Sequence, residues 1–110
     1  MSDAKILSKA DPNGRFWDED LIYHVLNHKF RRSLLLCLAR GGPRPASQLG
    51  GIKLGSTIKQ LVEMIEAGLV VKSPNPKDGR QPIYGLVPAV PVVKTETGVV
   101  IDFGFCVVRL

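Results

Sequence analysis

The chain has 110 residues, with 15 Lys+Arg against 10 Asp+Glu and a formal net charge of +5. That length holds one domain of ordinary size and excludes large multilayer enzyme folds such as a complete barrel; a hydrophobic content of 45% supports one small core and argues against wholesale disorder. No run of about 18 apolar residues is present and Met1 to Asp20 is polar, so the expectation is a soluble, cytoplasmic protein with no membrane span and no signal segment.

In chain order, residues 1–16 read as a flexible N-terminal arm, with turn chemistry at Asp11-Pro12-Asn13-Gly14. Asp18 is a good N-cap for a first helix, and Trp17 and Ile22 have the spacing of a hydrophobic staple around it. Leu21, Ile22, Val25 and Leu26 recur at helical spacing. Asn27 is then the expected cap of a second helix from about His28 to Arg40, ended by Gly41-Gly42. Its apolar positions are Phe30, Leu34, Leu35, Cys37 and Leu38, which make it the central, most buried helix. Pro43-Arg44-Pro45 is a stiff connector to a short helix, Ala46 to Leu49, broken by Gly50-Gly51.

A third helix is predicted from about Ser56 to Ala67, ended by Gly68, with Ile58, Leu61, Val62 and Ile65 as its core stripe. Beyond Gly68 the period changes from helix to strand. Leu69 to Lys72 and Ile83 to Leu86 read as two short strands around a polar loop, Ser73 to Pro82. Val90 to Lys94 and Val99 to Val108 read as a further hairpin, with Val99, Ile101, Phe103, Phe105 and Val107 alternating onto one face that something must cover. The expected division is therefore the arm, a helical and hairpin unit over residues 17–88, and a C-terminal β-hairpin over residues 89–110.

The charges are unevenly placed. Residues 1–45 carry 8 basic and 5 acidic groups, residues 46–85 carry 5 and 3, and residues 86–110 carry 2 and 2. The positive excess thus lies in the first three-quarters of the chain, which suits a polyanionic partner. The two cysteines, Cys37 and Cys106, lie in apolar runs. A disulfide between them stays open, but such surroundings favour buried free thiols.

The short helix, the turn at Gly50 to Leu54 and the third helix have helix-turn-helix spacing. The predicted core stripe leaves Ser56, Lys59, Gln60 and Glu63 together on the opposite face, flanked by Thr57. Ser, Thr, Lys and Gln near a helix N-terminus can hydrogen-bond base edges and phosphates in a major groove. An ordinary solvated helix face accounts for the same pattern. The following loop, Asn75 to Gln81, carries Lys77 and Arg80, and an arginine there suits the negative potential of an adjacent minor groove. Asp78-Gly79 is also a plain turn dipeptide. The conjunction of a candidate reading helix and a basic-tipped hairpin favours nucleic acid.

The stretch from about Leu21 to Pro88 resembles the winged helix-turn-helix domains of ArsR- and MarR-type bacterial and archaeal transcriptional regulators. The resemblance rests on Phe30-Arg31-Arg32-Ser33-Leu34-Leu35, Gln48-Leu49, Ser56-Thr57-Ile58-Lys59-Gln60-Leu61, Glu66-Ala67-Gly68-Leu69-Val70, Asp78-Gly79-Arg80 and Tyr84-Gly85-Leu86. It implies an α+β winged-helix fold and binding of double-stranded DNA as a homodimer. Ser56, Thr57, Lys59 and Gln60 would lie on the reading helix, and Arg80 in the wing. Lys77, Arg31, Arg32 and Arg44 are the further candidate DNA contacts.

Two departures from that family matter. Its metal sensors use paired cysteines, whereas neither cysteine here has a Cys neighbour; His24 and His28, four residues apart, lack an evident third ligand, so no metal or other cofactor is expected. The C-terminal apolar hairpin stands where such regulators usually add a dimerising helix. It can extend the wing sheet, pack on the first helix, or pair with a second subunit. The competing functional reading is therefore a protein-interaction module docking through these strands. A third is a sensor with a small-molecule effector held beneath the hairpin. No enzyme constellation is present: Asp18-Glu19-Asp20 is explained by helix capping.

Overall fold

A computed structural model describes residues 17–49 and 53–110. The predicted arm and the Gly50-Gly51 break fall outside these residues. The described chain is α+β, with three α-helices and two small antiparallel sheets. In order come α1 (Glu19–Leu26), α2 (Lys29–Gly41), β1 (Arg44–Pro45), a 3₁₀ turn (Ala46–Gln48), α3 (Leu54–Glu66), β2 (Val70–Ser73), β3 (Ile83–Leu86), β4 (Val92–Lys94), β5 (Val99–Asp102) and β6 (Val107–Arg109).

Several boundaries follow local chemistry. The Asp18 carboxylate accepts from the Leu21 amide at 3.2 Å and starts α1. Trp17 and Ile22, on either side of this cap, are both buried core members. Helix α3 ends in a Schellman motif: Leu69 N–H donates to the Met64 carbonyl and Gly68 N–H to that of Ile65, with Gly68 at φ +82°. Met64 and Leu69 are fully buried, as the hydrophobic contact of that motif requires. The α2 cap is different from expectation. Asn27 terminates α1, and the His28 ring Nδ1 accepts the Phe30 amide at 3.2 Å to start α2.

The core joins all three helices to both sheets through residues such as Ile22, Leu35, Leu61, Leu69 and Ile101, each essentially inaccessible to water. Burying one such side chain contributes roughly 1.5–3 kcal/mol. Helix α2 crosses the centre and places Leu34, Leu35 and Leu38 inside. Phe30 and Cys37, expected in that core, are exposed instead, because α2 is turned so that Arg31 faces inward at the edge of the apolar stripe. Both cysteines are free thiols, Cys37 exposed and Cys106 partly covered.

The first sheet has the order β1-β3-β2, so the connector strand β1 adds to the hairpin through Arg44↔Tyr84 and Pro45↔Ile83. The second has the order β4-β5-β6. Here the expected single strand from Val99 to Val108 is broken. Asp102 Oδ1 accepts the Gly104 amide at 2.8 Å, Gly104 takes φ +93°, and the chain reverses so that Ile101 pairs with Val108. Val107 consequently points outward while Val99, Ile101 and Phe103 point inward.

That inner face is covered by the chain itself. Trp17 meets Phe103 edge-on with ring centroids 5.7 Å apart, and Tyr23 of α1 meets Phe105 at 5.6 Å. The hairpin forms a sheet separate from the first one and packs on Trp17 and on Tyr23 of the first helix. Val99 and Ile101 on this face are fully buried, whereas Val93 and Val107 of the same sheet are exposed.

Candidate nucleic-acid interface

Helix α3 is the element on which the site depends, and its orientation differs from the sequence expectation. The buried side chains are Thr57, Leu61 and Met64. Ile58 and Val62, predicted for the core, are 37% and 44% exposed. The helix is thus turned by most of one residue's ~100° step. Its outer face is centred on Gly55, Lys59, Val62 and Glu66, with Ser56 on one flank and Leu54 and Ile58 on the other. The sequence carries more apolar residues on α3 than the core takes up.

Two predicted contacts are buried in this geometry. Thr57 is fully buried, and its Oγ1 has no hydrogen-bond partner among the described residues. Arg31 is only 9% exposed. Its Nε donates to Gln60 Oε1 at 2.8 Å and its Nη1 to the His24 carbonyl. That carbonyl belongs to the last turn of α1, where intrahelical donors run out. Arg31 therefore caps α1 and ties it to α3. Arg32, which is exposed, donates to the Leu26 carbonyl at the same helix end. Gln60 is half-buried, with its oxygen committed to Arg31.

Four of the remaining candidates are fully accessible. Ser56 and Lys59 are exposed on the N-terminal half of α3. Lys77 and Arg80 are exposed on the β2–β3 loop, where the Arg80 side chain is 93% accessible and lies 3.5 Å from Asp78. The loop is braced rather than slack. Asn75 Oδ1 accepts the Lys77 amide at 2.9 Å, Asp78 Oδ1 accepts the Arg80 amide at 3.0 Å, and Ser47 Oγ bonds Gln81 Oε1 at 2.7 Å. Ser47 thereby fastens the 3₁₀ turn to the loop, a long-range link that no local sequence signal announces.

Two clefts connect these parts. One, of about 130 Å³, is lined by Leu54 and Ile58 of α3 together with Arg80, Pro82 and Tyr84. The other, of about 430 Å³, is lined by Arg44 and Gln48 on one side and by Lys77 and Asp78 on the other. Arg44 is half-buried and its guanidinium lies so close to Gly41 that a side chain there would collide with it. The structure thus brings Arg80 beside the N-terminal half of α3, and Arg44 beside Lys77. It separates Arg31 and Thr57 from them. Of the two histidines, His24 Nε2 lies 3.3 Å from Glu63 Oε2 of α3, and His28 Nδ1 is engaged as a cap. Among the described residues no three potential ligands cluster around a metal position.

No protein-family model matches the chain, and no curated protein matches it significantly. A solved structure does: a probable transcriptional regulator from Pseudomonas aeruginosa, at TM-score 0.54 and 25% identity, over 64% of this chain and 58% of that one. The chain therefore spans less than two-thirds of that regulator's length. The likeness fits a transcriptional regulator. No helix among the described residues is long and apolar enough to cross a membrane.

Proposed function

We propose that the protein is a winged helix-turn-helix transcriptional regulator of the ArsR/MarR-like kind that binds double-stranded DNA and performs no catalysis. Helix α3 enters the major groove, and the β2–β3 loop, acting as the wing, lies on the neighbouring backbone or minor groove. The supporting observation is that Arg80 and the N-terminal half of α3 line one cleft, so reading helix and basic loop address a single ligand. Ser56 and Lys59 supply polar and cationic contacts from the helix, Lys77 and Arg80 from the wing, with Arg44 beside Lys77. Arg31, Thr57 and the committed oxygen of Gln60 are structural in this scheme. As a homodimer the protein reads a palindrome with half-sites about one helical turn (~34 Å) apart. Docking through the C-terminal strands is disfavoured, because Trp17 and Tyr23 already pack on their apolar face.

Selection of bound duplexes from a random pool tests this directly, with a palindromic motif as the expected product. Affinity for the selected duplex should fall steeply with salt, and Lys59→Ala or Arg80→Ala should each flatten the log–log slope by about one unit. Failure to enrich any duplex, or salt-insensitive binding, refutes it.

A further inference from the structure

Helix α3 presents a second apolar row that the core does not use. Leu54, Ile58 and Val62, at i, i+4 and i+8, are 51%, 37% and 44% exposed. On a solvated helix face such a row is unexpected, and a major groove lined only by hydrogen-bonding base edges gives it nothing to match. One groove feature does match it: the C5-methyl of thymine, the apolar mark that distinguishes A·T from G·C pairs on that side.

The surroundings of the row favour DNA as its occupant. Lys59 follows Ile58 on the outer face, and Arg80 lines the cleft that Leu54 and Ile58 also line. Cations thus flank the apolar strip on both sides, an arrangement complementary to a methyl-bearing groove floor between phosphate rails. A purely apolar partner helix would leave those cations unmatched.

We propose that Ile58, with Leu54 or Val62 beside it, reads thymine methyl groups, so that the recognised half-site contains at least one thymine selected by van der Waals contact. This rests on the DNA-binding reading and adds to it the base chemistry that the helix recognises. The polar side chains then set register while the apolar row sets base preference, which fits a helix that keeps only Ser56 and Lys59 fully available among its predicted base readers.

The test uses the full chain and the duplex obtained by selection, with each thymine replaced in turn by deoxyuridine, which lacks only the methyl. Removing one buried methyl should weaken binding about fourfold at one or two positions. In Ile58→Ala the thymine and deoxyuridine duplexes should bind equally at the position Ile58 reads, while the salt slope stays that of the unmodified chain. Leu54→Ala and Val62→Ala assign any second position. Equal binding of thymine and deoxyuridine duplexes at every position, with tight salt-dependent binding retained, overturns the methyl readout and leaves DNA binding standing. No enrichment of any duplex overturns both. Should Ile58→Ala or Val62→Ala instead change the sedimentation-defined oligomeric state and leave base discrimination intact, the row is an interface between copies and the proposal falls.

Discussion

Arg31→Ala separates a structural arginine from a phosphate contact. In the folded chain the guanidinium makes two charge-assisted hydrogen bonds, to Gln60 Oε1 and to the His24 carbonyl. Hydrogen bonds to a charged group each contribute roughly 1.5–3 kcal/mol, and relief of the cost of burying the cation offsets part of the sum. The half-buried Gln60 regains some water, which limits the loss further. A net destabilisation of about 2–3 kcal/mol follows, or roughly a 10 °C drop in melting temperature for a domain of this size. Calorimetry or circular-dichroism melting at fixed ionic strength measures it, alongside the salt dependence of DNA affinity below the melting range. Gln60→Leu should cost less, and the double variant should lose less than the sum of the two singles, by about 1 kcal/mol. If Arg31→Ala instead melts within about 2 °C of the unmodified chain and its salt slope falls by about one unit, Arg31 is a phosphate contact and the capping assignment is wrong.

Other outcomes follow from single positions. Thr57→Val removes a buried hydroxyl that has no partner among the described residues while keeping the shape, and should raise stability by about 1 kcal/mol in a denaturant titration; a loss of DNA affinity at unchanged stability would make Thr57 a base reader. Gly104→Ala forces a side chain onto φ +93° at the β5–β6 reversal and should cost roughly 1–3 kcal/mol by chemical denaturation; a neutral substitution would mean the reversal lies elsewhere. Burial chiefly, and then the carboxylates of Glu19 and Asp102, push the Cys106 thiol above its ordinary value. A raised value lowers the thiolate fraction at any pH below it, so at pH 8 iodoacetamide should label the exposed Cys37 before Cys106, with the gap narrowing as pH rises. Mass spectrometry of timed digests reads the order directly, and faster labelling of Cys106 would contradict its placement.

What could be read from sequence was mostly what local chemistry decides. Asp18 as a cap and Gly42 and Gly68 as terminators act within one helical turn of themselves, so residue type alone locates them. The strand pair flanking Ser73 to Pro82 announced itself by β-branched runs around a proline-rich loop. Helix rotation was not legible in the same way. On α3, Ile58–Leu61–Val62–Ile65 and Thr57–Leu61–Met64 are both valid helical stripes sharing Leu61, and only packing against α2, the 3₁₀ turn and β2 selects the second. The same ambiguity misplaced Phe30 and Cys37 on α2 and hid the inward turn of Arg31. At Gly104 a signal was present but masked: ten residues of apolar alternation outweighed an Asp two positions before a glycine, which is the Asx-turn pattern. Of the candidate interface, the exposed loop cations were readable because solvent imposes no orientation on them, whereas the helix-borne contacts depended on the rotation.

The edge-on meeting of Trp17 with Phe103 carries an experimental consequence. Trp17 is the sole tryptophan of the chain, so its emission is a private optical signal from the seam between the first helix and the C-terminal strands. Were the hairpin to peel away while the helices stayed folded, the indole would meet water and its fluorescence would shift to the red before far-ultraviolet ellipticity changed. Coincident transitions would instead mean that the last twenty residues or so melt with the helices as one cooperative unit. One cuvette therefore distinguishes a detachable appendage from an integral wall of the domain.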